Sequence, residues 1–279
     1  MTEAPARPRV GFIGGGRVAK GLSLALARAG YPVAGIAGRA GNPAGQDVVD
    51  RADVVFLTVP DDAIGSVAAA LRWRQGVAAV HCSGAAELSV LGAAAGAGAA
   101  VGGFHPLQMF ADPEVAADGL ARCAIAVEAA EPLAGTLAGM VEALGARPLR
   151  VPSGARAAYH AGAHYAGPFI AALLAEAVGI WGRIGIGQED ALAALLPLVR
   201  GSTDAISHSG LARAMAGPVA RGDLQTVVRH LNALGGLDAG TRDFYRRLAL
   251  RTIPLALASG TLGAARAEEL RAELNLDSR

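Results

Sequence analysis

Cysteine is scarce in this chain: Cys82 and Cys123 are the only two among 279 residues. One disulfide is the most they can form, which excludes a disulfide-stapled secreted scaffold and suits buried cytosolic thiols. Charge is also thin, at 18% of residues, against about 25% in an average globular chain. Basic residues number 25 and acidic residues 24, for a formal net charge of +1, and no Lys/Arg block exceeds a pair. That distribution lacks the electrostatic footprint of a nucleic-acid groove or an anionic membrane surface. Residues Met1 to Arg9 carry charge and two prolines with no apolar run, so no secretory signal is expected. Leu88 to Ala111 and Ala157 to Ala175 are uncharged, but glycine, histidine and proline interrupt both, and neither reads as a membrane span. A soluble, cytoplasmic protein is expected.

What the chain has in quantity is small residues. Apolar residues reach 52%, with alanine prominent, and glycine numbers 38. Alanine is the strongest helix former and the smallest packing unit, so closely packed helices are expected. The length suits two domains at roughly 100–200 residues each.

The first half alternates short apolar runs with helical stretches. Strand signals fall at 9–13, 32–37, 53–58 and 77–81, with weaker ones at 99–103 and 123–127 and a last near 147–151. Helices are expected at 18–29, from Asp61 or Asp62 as a cap to Trp73, and at 132–144. Such alternation implies parallel βαβ units with helices on both faces of a sheet. Beyond Val151-Pro152-Ser153 the pattern turns helical throughout, over about 153–184, 188–206, 222–235, 238–258 and 261–274, with Ser153 a candidate cap. The fold class is therefore α/β, an N-terminal Rossmann domain with a mostly parallel sheet (1–151) followed by an all-α domain (152–279).

The sharpest motif is Gly14-x-Gly16-x-x-Ala19, set directly after a strand and opening a helix. The first glycine permits a tight turn and the second lets the backbone approach a pyrophosphate. The small Ala19 allows close helix–strand packing, and the helix N-terminus attracts the anion. Gly14, Gly15, Gly16, Arg17 and Val18 are accordingly candidate cofactor contacts. At the end of the second strand, where an acid would select a free ribose hydroxyl, Val33 to Arg39 has none. It offers the planar cation Arg39, suited to a 2′-phosphate, so NADP(H) is the expected cofactor.

Further segments complete a resemblance. Thr58-Val-Pro-Asp-Asp-Ala-Ile64, His81-Cys-Ser-Gly84 and Phe104-His-Pro-Leu-Gln-Met-Phe110 occupy Rossmann loop positions, and Gly217-Pro-Val-Ala-Arg-Gly-Asp223 with His230 lies in the helical half. Together with the glycine loop they resemble Rossmann-like proteins carrying a C-terminal DUF2520-type helical domain. That family is similar to the 6-phosphogluconate dehydrogenase-like superfamily, which includes ketopantoate reductase and pyrroline-5-carboxylate reductase. The resemblance implies an NADPH-dependent reductase of a small carbonyl compound held between the two domains, with the 2-oxo acid ketopantoate the best single substrate. Reduction of a cyclic imine of the pyrroline-5-carboxylate type is the alternative within enzymes. A non-catalytic NADP(H)-binding sensor and a purely structural helical dimerisation module are the rivals outside them. By analogy Thr58, Val59, Pro60 and Ser83 line the cofactor.

In related ketopantoate reductases a lysine and then asparagines step along the first helix of the second domain; here the same steps carry His160, His164 and Pro168. Pro168 replaces an asparagine usual in DUF2520-type sequences, removing an amide and a backbone donor. Carbonyl reduction needs a proton donor near the developing alkoxide, for which a histidine titrating near neutrality is suited. His160 is the first candidate, with His105 and His164 beside it; His81, at a strand end, reads as structural or cofactor-adjacent, and His208, in an expected polar turn, receives no role. His160-x-x-x-His164 also has helical metal-ligand spacing, but no accompanying Glu or Cys, so no metal is expected. Arg221 is a candidate clamp for a substrate carboxylate, while Asp223 suits an N-cap. The alanine-rich helical half is expected to pair two copies into a homodimer.

Overall fold

The computed structural model describes residues 7–39 and 44–275, and these divide into two compact units that part between Gly167 and Pro168. The first unit holds a seven-stranded sheet built from β1 (Val10–Ile13), β2 (Val33–Ala37), β3 (Val54–Leu57), β4 (Ala78–His81), β5 (Ala100–Pro106), β6 (Ala124–Ala129) and β7 (Arg147–Arg150). Their order across the sheet is β2-β1-β3-β4-β5-β6-β7. All neighbours run parallel except β5 and β6, which are antiparallel. The expectation of a mostly parallel sheet holds, with this one reversal at β6.

Helices α1 (Arg17–Arg28), α2 (Gly45–Arg51), α3 (Ile64–Ala70), α4 (Gly92–Gly96), α5 (Pro113–Gly119), α6 (Leu133–Ala143) and α7 (Arg156–Ala166) complete this unit. Strands buried on both faces read as near-continuous apolar runs rather than alternating ones, and β1 and β3 do so. Val10, Phe12, Val54 and Phe56 face a core with Leu22 and Leu26 of α1 and Leu137 of α6. Ile13, Val55 and Leu57 face a second core with Val48 of α2 and Ile64 of α3. Phe12 stacks on Phe56 with ring centroids 5.3 Å apart, and Phe56 meets the edge of Phe104 at 5.5 Å.

Two local expectations are corrected. Neither Asp61 nor Asp62 caps a helix running to Trp73: Pro60 precedes a 3-10 turn, Asp61–Ala63, and α3 stops at Ala70. Ser153 does not cap the helix that follows it either. Ala155 holds the cap position of α7, and the Glu87 carboxylate accepts from the Gly154 and Arg156 amides at 3.1 and 3.2 Å.

The second unit contains α8 (Pro168–Arg183), α9 (Gln188–Arg213), α10 (Leu224–Gly235), α11 (Ala239–Ala258) and α12 (Ala264–Leu274). Its core joins Val227 and Leu231 of α10, Ala249 and Ile253 of α11, and Ala267 and Leu270 of α12. The long helix expected over 153–184 is two helices, because α7 ends at Ala166 and Pro168 starts α8. This follows from proline's restriction of the preceding residue, which disfavours helical backbone at Gly167. Arg156–Arg183 is the one described stretch apolar enough by length and composition to cross a membrane; the break at Gly167 falls inside it. His208 sits within α9, not in a turn.

Candidate active site

The carboxyl ends of β1 and β3 meet at the point where the strand order reverses, the usual place for a ligand crevice in an open α/β sheet. A cavity of about 710 Å3 opens there, lined by Gly14, Gly15, Gly16, Arg39, Thr58, Val59 and Pro60, together with backbone from the end of β2. Gly14 has φ +108°, and a Cβ on it would lie 2.7 Å from the Thr58 carbonyl carbon and oxygen, so only glycine fits. The Thr58 hydroxyl donates to the carbonyls of Ile13 and Gly14, at 3.1 and 2.8 Å, and locks the turn. A Cβ on Gly16 would meet nothing within 4 Å. Gly16 caps α1 without a side-chain bond, and the first turn of α1 carries no acid. The amides of that turn are therefore positioned for an anion. Arg17 starts α1, with Val18 next to it, and Arg39 is exposed at the cavity wall. The residues present fit a dinucleotide carrying an additional phosphate. Ser83 lies outside the residues lining this cavity.

Ser83 belongs to a second arrangement in the same unit. Its hydroxyl donates to Asp61 Oδ2 at 2.7 Å and accepts from the Ala85 and Ala86 amides at 3.1 and 2.9 Å. Its carbonyl accepts from Arg156 Nη2 at 2.8 Å, and Arg156 Nη1 donates to Glu128 Oε2 at 3.0 Å. The Arg156 side chain is fully buried. These bonds tie the start of α7 to the loop after β4, and that loop to the segment after β3 that lines the cavity.

The tie brings three candidate histidines together. The rings of His105 and His160 meet edge to face with centroids 5.6 Å apart, and His160 meets His164 likewise at 4.6 Å. His105 Nδ1 lies 2.9 Å from the Tyr159 hydroxyl. His164 Nδ1 lies 3.1 Å from the His160 carbonyl, so it carries the proton and donates. Beneath these rings is Gly84, whose hypothetical Cβ would lie 2.5 Å from His160 Cδ2 and 2.9 Å from both Cε1 and Nε2 of His105. Burial, the neighbouring His160 and the Arg156 charge hold the His105 pKa down at about 4. Burial, then His164, lowers that of His160. Buried His81 is pushed down to about 4 by desolvation and then by Arg156. Burial raises the Tyr159 phenol to about 12. No group of three His, Cys, Asp or Glu among the described residues is placed to hold a metal ion.

Arg156 and Tyr159 are not among the residues the sequence singles out; Asp61 is there a candidate helix cap, and Gly84 only closes the His81-Cys-Ser-Gly84 segment. A signal for the first two exists: Arg156, Tyr159, His160 and His164 fall at i, i+3, i+4 and i+8, a polar stripe along one face of an otherwise Ala/Gly helix. In the second unit, Asp223 caps α10, accepting from the Thr226 amide at 3.0 Å. Arg221 is exposed in that unit.

Residues 123–252 match the family model described as a domain of unknown function, DUF2520. The match takes in the Gly217 to Asp223 segment that carries the resemblance. Among solved structures, protein TM1727 from Thermotoga maritima is similar with a TM-score of 0.70 and 22% identity, over 89% of this chain and 98% of that one. Protein BF3122 from Bacteroides fragilis, described as an NADP oxidoreductase, gives 0.69 and 19% over 90% and 99%. The pyrroline carboxylate reductase of Plasmodium falciparum, solved with NADP bound, gives 0.59 and 11% over 96% and 99%. At these identities the likeness is one of fold. No curated protein matches the sequence.

Proposed function

We propose that this protein is an NADPH-dependent reductase of a small carbonyl compound, with a 2-oxo acid such as ketopantoate the best candidate substrate. One observation carries the reading: the glycine-lined cavity and the histidine cluster share the carboxyl edge of one sheet and are joined through Asp61, Ser83 and Arg156. The relatives named for NADP lend the same support to the cofactor.

Gly14, Gly15 and Gly16, with the first amides of α1 at Arg17 and Val18, would hold the pyrophosphate. Arg39 would hold the 2′-phosphate, and Thr58, Val59 and Pro60 would flank the path toward the histidines. NADPH, when bound, supplies a hydride to the substrate's electrophilic carbon. The chain itself must steady the negative charge growing on oxygen and deliver one proton there.

His105, neutral at physiological pH, steadies that charge as a hydrogen-bond donor. His160, less buried than His105 and edge to face with His164, delivers the proton as its imidazolium. Because the donor must be charged, single-turnover rates should fall as pH rises above the His160 pKa. Arg221 is the proposed partner of a substrate carboxylate. The direct test is NADPH oxidation with ketopantoate and with pooled oxo acids. His160→Ala should lower turnover and leave NADPH affinity unchanged.

The protein is also proposed to be a cytoplasmic homodimer. Among the described residues α8 buries none of its side chains, and Leu198 and Leu211 of α9 are 65% and 61% exposed. An apolar helical surface of this kind suits a second copy of the same chain. Sedimentation as a monomer at micromolar concentration would overturn that part.

A further inference from the structure

We propose that Tyr159 sets His105 as an N–H donor over the bare backbone of Gly84, and that the site thereby takes a carbonyl rather than an iminium substrate. This rests on the reductase reading and names the substrate class of the same site.

The tautomer follows from the pairing. A neutral imidazole has one protonated and one bare nitrogen, and whichever bond one nitrogen makes fixes the other. His105 Nδ1 faces the Tyr159 hydroxyl at 2.9 Å. Burial raises the phenol to about 12, so it keeps its proton throughout the working range. A phenol O–H is a stronger donor than an imidazole N–H, and the favourable arrangement has Tyr159 donating to a bare Nδ1. The ring proton then resides on Nε2, the nitrogen that overlies Gly84.

Gly84 is required for space rather than for backbone conformation. Its φ lies outside the left-handed region, so an L residue could adopt this backbone. An added methyl would nevertheless crowd both rings, at 2.5 Å from His160 and 2.9 Å from His105. Contacts under 3.0 Å force one or both rings to shift, and a shift of His105 would disturb its 2.9 Å approach to Tyr159.

Substrate class follows from the charge and donors around His105. The groups acting on it are His160 and Arg156 of α7, His81 of β4 and Asp61. The Asp61 carboxylate is engaged by the Ser83 hydroxyl, and Arg156 is a fixed buried cation. A carbonyl oxygen accepts from Nε2–H, and its acceptor strength grows as the hydride and its electron pair arrive at carbon. The oxygen then takes one proton, the nicotinamide leaves oxidised, and atoms and charge balance. An iminium instead presents its own N–H and a positive charge. It would meet a donor with a donor, close to a guanidinium, and needs no proton.

Two measurements test this. Two-bond proton–nitrogen spectra of the free wild-type protein should show His105 with its proton on Nε2; in Tyr159→Phe, and in Gly84→Ala, the two tautomers should mix. A wild-type ring protonated on Nδ1, or a tautomer unchanged in Tyr159→Phe, overturns the assignment whatever the enzyme does. In turnover with NADPH, kcat/KM for ketopantoate should exceed that for pyrroline-5-carboxylate at least tenfold, and Tyr159→Phe should shrink the ratio about tenfold, as expected for loss of one aligned hydrogen bond. The same Tyr159→Phe protein should bind NADPH like wild type. A preference for the imine, or a ratio that Tyr159→Phe leaves unchanged, overturns the substrate class. Failure of the wild-type protein to reduce either compound, or any member of the oxo-acid and imine pools, overturns the reductase reading and the substrate class with it, while the spectra still decide the tautomer.

Discussion

Arg156 Nη2 donates to the Ser83 carbonyl across 2.8 Å from a fully buried position. Together with the Glu87 carboxylate at the Gly154 and Arg156 amides, that bond joins the helix carrying Tyr159, His160 and His164 to the segment carrying Gly84. The other arm of the guanidinium engages Glu128 of β6 at 3.0 Å, so one side chain holds three separate segments in register.

Replacing Arg156 by methionine should therefore do two things. It leaves the Glu128 carboxylate, 17% exposed, and the Ser83 carbonyl without this partner, and should cost somewhat less than the roughly 3–5 kcal/mol of breaking a fully buried pair. It also removes the second-largest influence on His81, so the His81 pKa should rise. Arg156→Lys keeps the charge but loses the two-armed geometry, and should recover the pKa better than the stability. Urea denaturation and histidine NMR titration read the two effects separately.

Stability should depend on acid in a defined window. His81 and His105 titrate near pH 6.5 when unfolded and at about 4 when folded. Between those values the unfolded chain binds more protons, so unfolding becomes easier as pH falls from about 6.5 to about 4. The contribution is complete above pH 6.5 and amounts to about 3 kcal/mol for each ring at most. Denaturation midpoints should drop across that interval, and His105→Asn should flatten part of the slope. A midpoint independent of pH there would contradict neutral buried rings.

Arg39 is expected to set cofactor preference. One charge-assisted contact to a 2′-phosphate corresponds to roughly a 10- to 100-fold advantage for NADPH over NADH. Arg39→Ala should erase that advantage by weakening NADPH and leave NADH binding nearly unchanged. Calorimetric titration of both nucleotides checks it; equal losses for both would assign Arg39 elsewhere.

The glycine loop and the strands around it were legible in the sequence because each depends on local chemistry. Gly14 must adopt a positive φ, and the two-sided apolar strands Val10–Ile13 and Val54–Leu57 have few alternatives. The direction of β6 was not legible, since a short run such as Ile125-Ala-Val127 reads alike in either sense. Asp61 resembled a helix cap because aspartate before an apolar run usually is one; its actual partner, Ser83, is 22 residues away. Arg156 carries no local signal of its burial, which depends on Glu128 and Ser83 arriving from elsewhere in the chain. Gly84 closes the His81-Cys-Ser-Gly84 segment, but only the converging rings of His105 and His160 show why it must be glycine.

The most direct test is NADPH oxidation by the purified protein, followed optically with ketopantoate and with pooled oxo acids and cyclic imines, with NADH in parallel. The expected result is turnover with a carbonyl substrate, faster with NADPH than with NADH and lost in His160→Ala. Tight NADPH binding with no oxidation by any pool would contradict the reductase reading and favour a sensor, and absence of nucleotide binding would contradict the cofactor site itself.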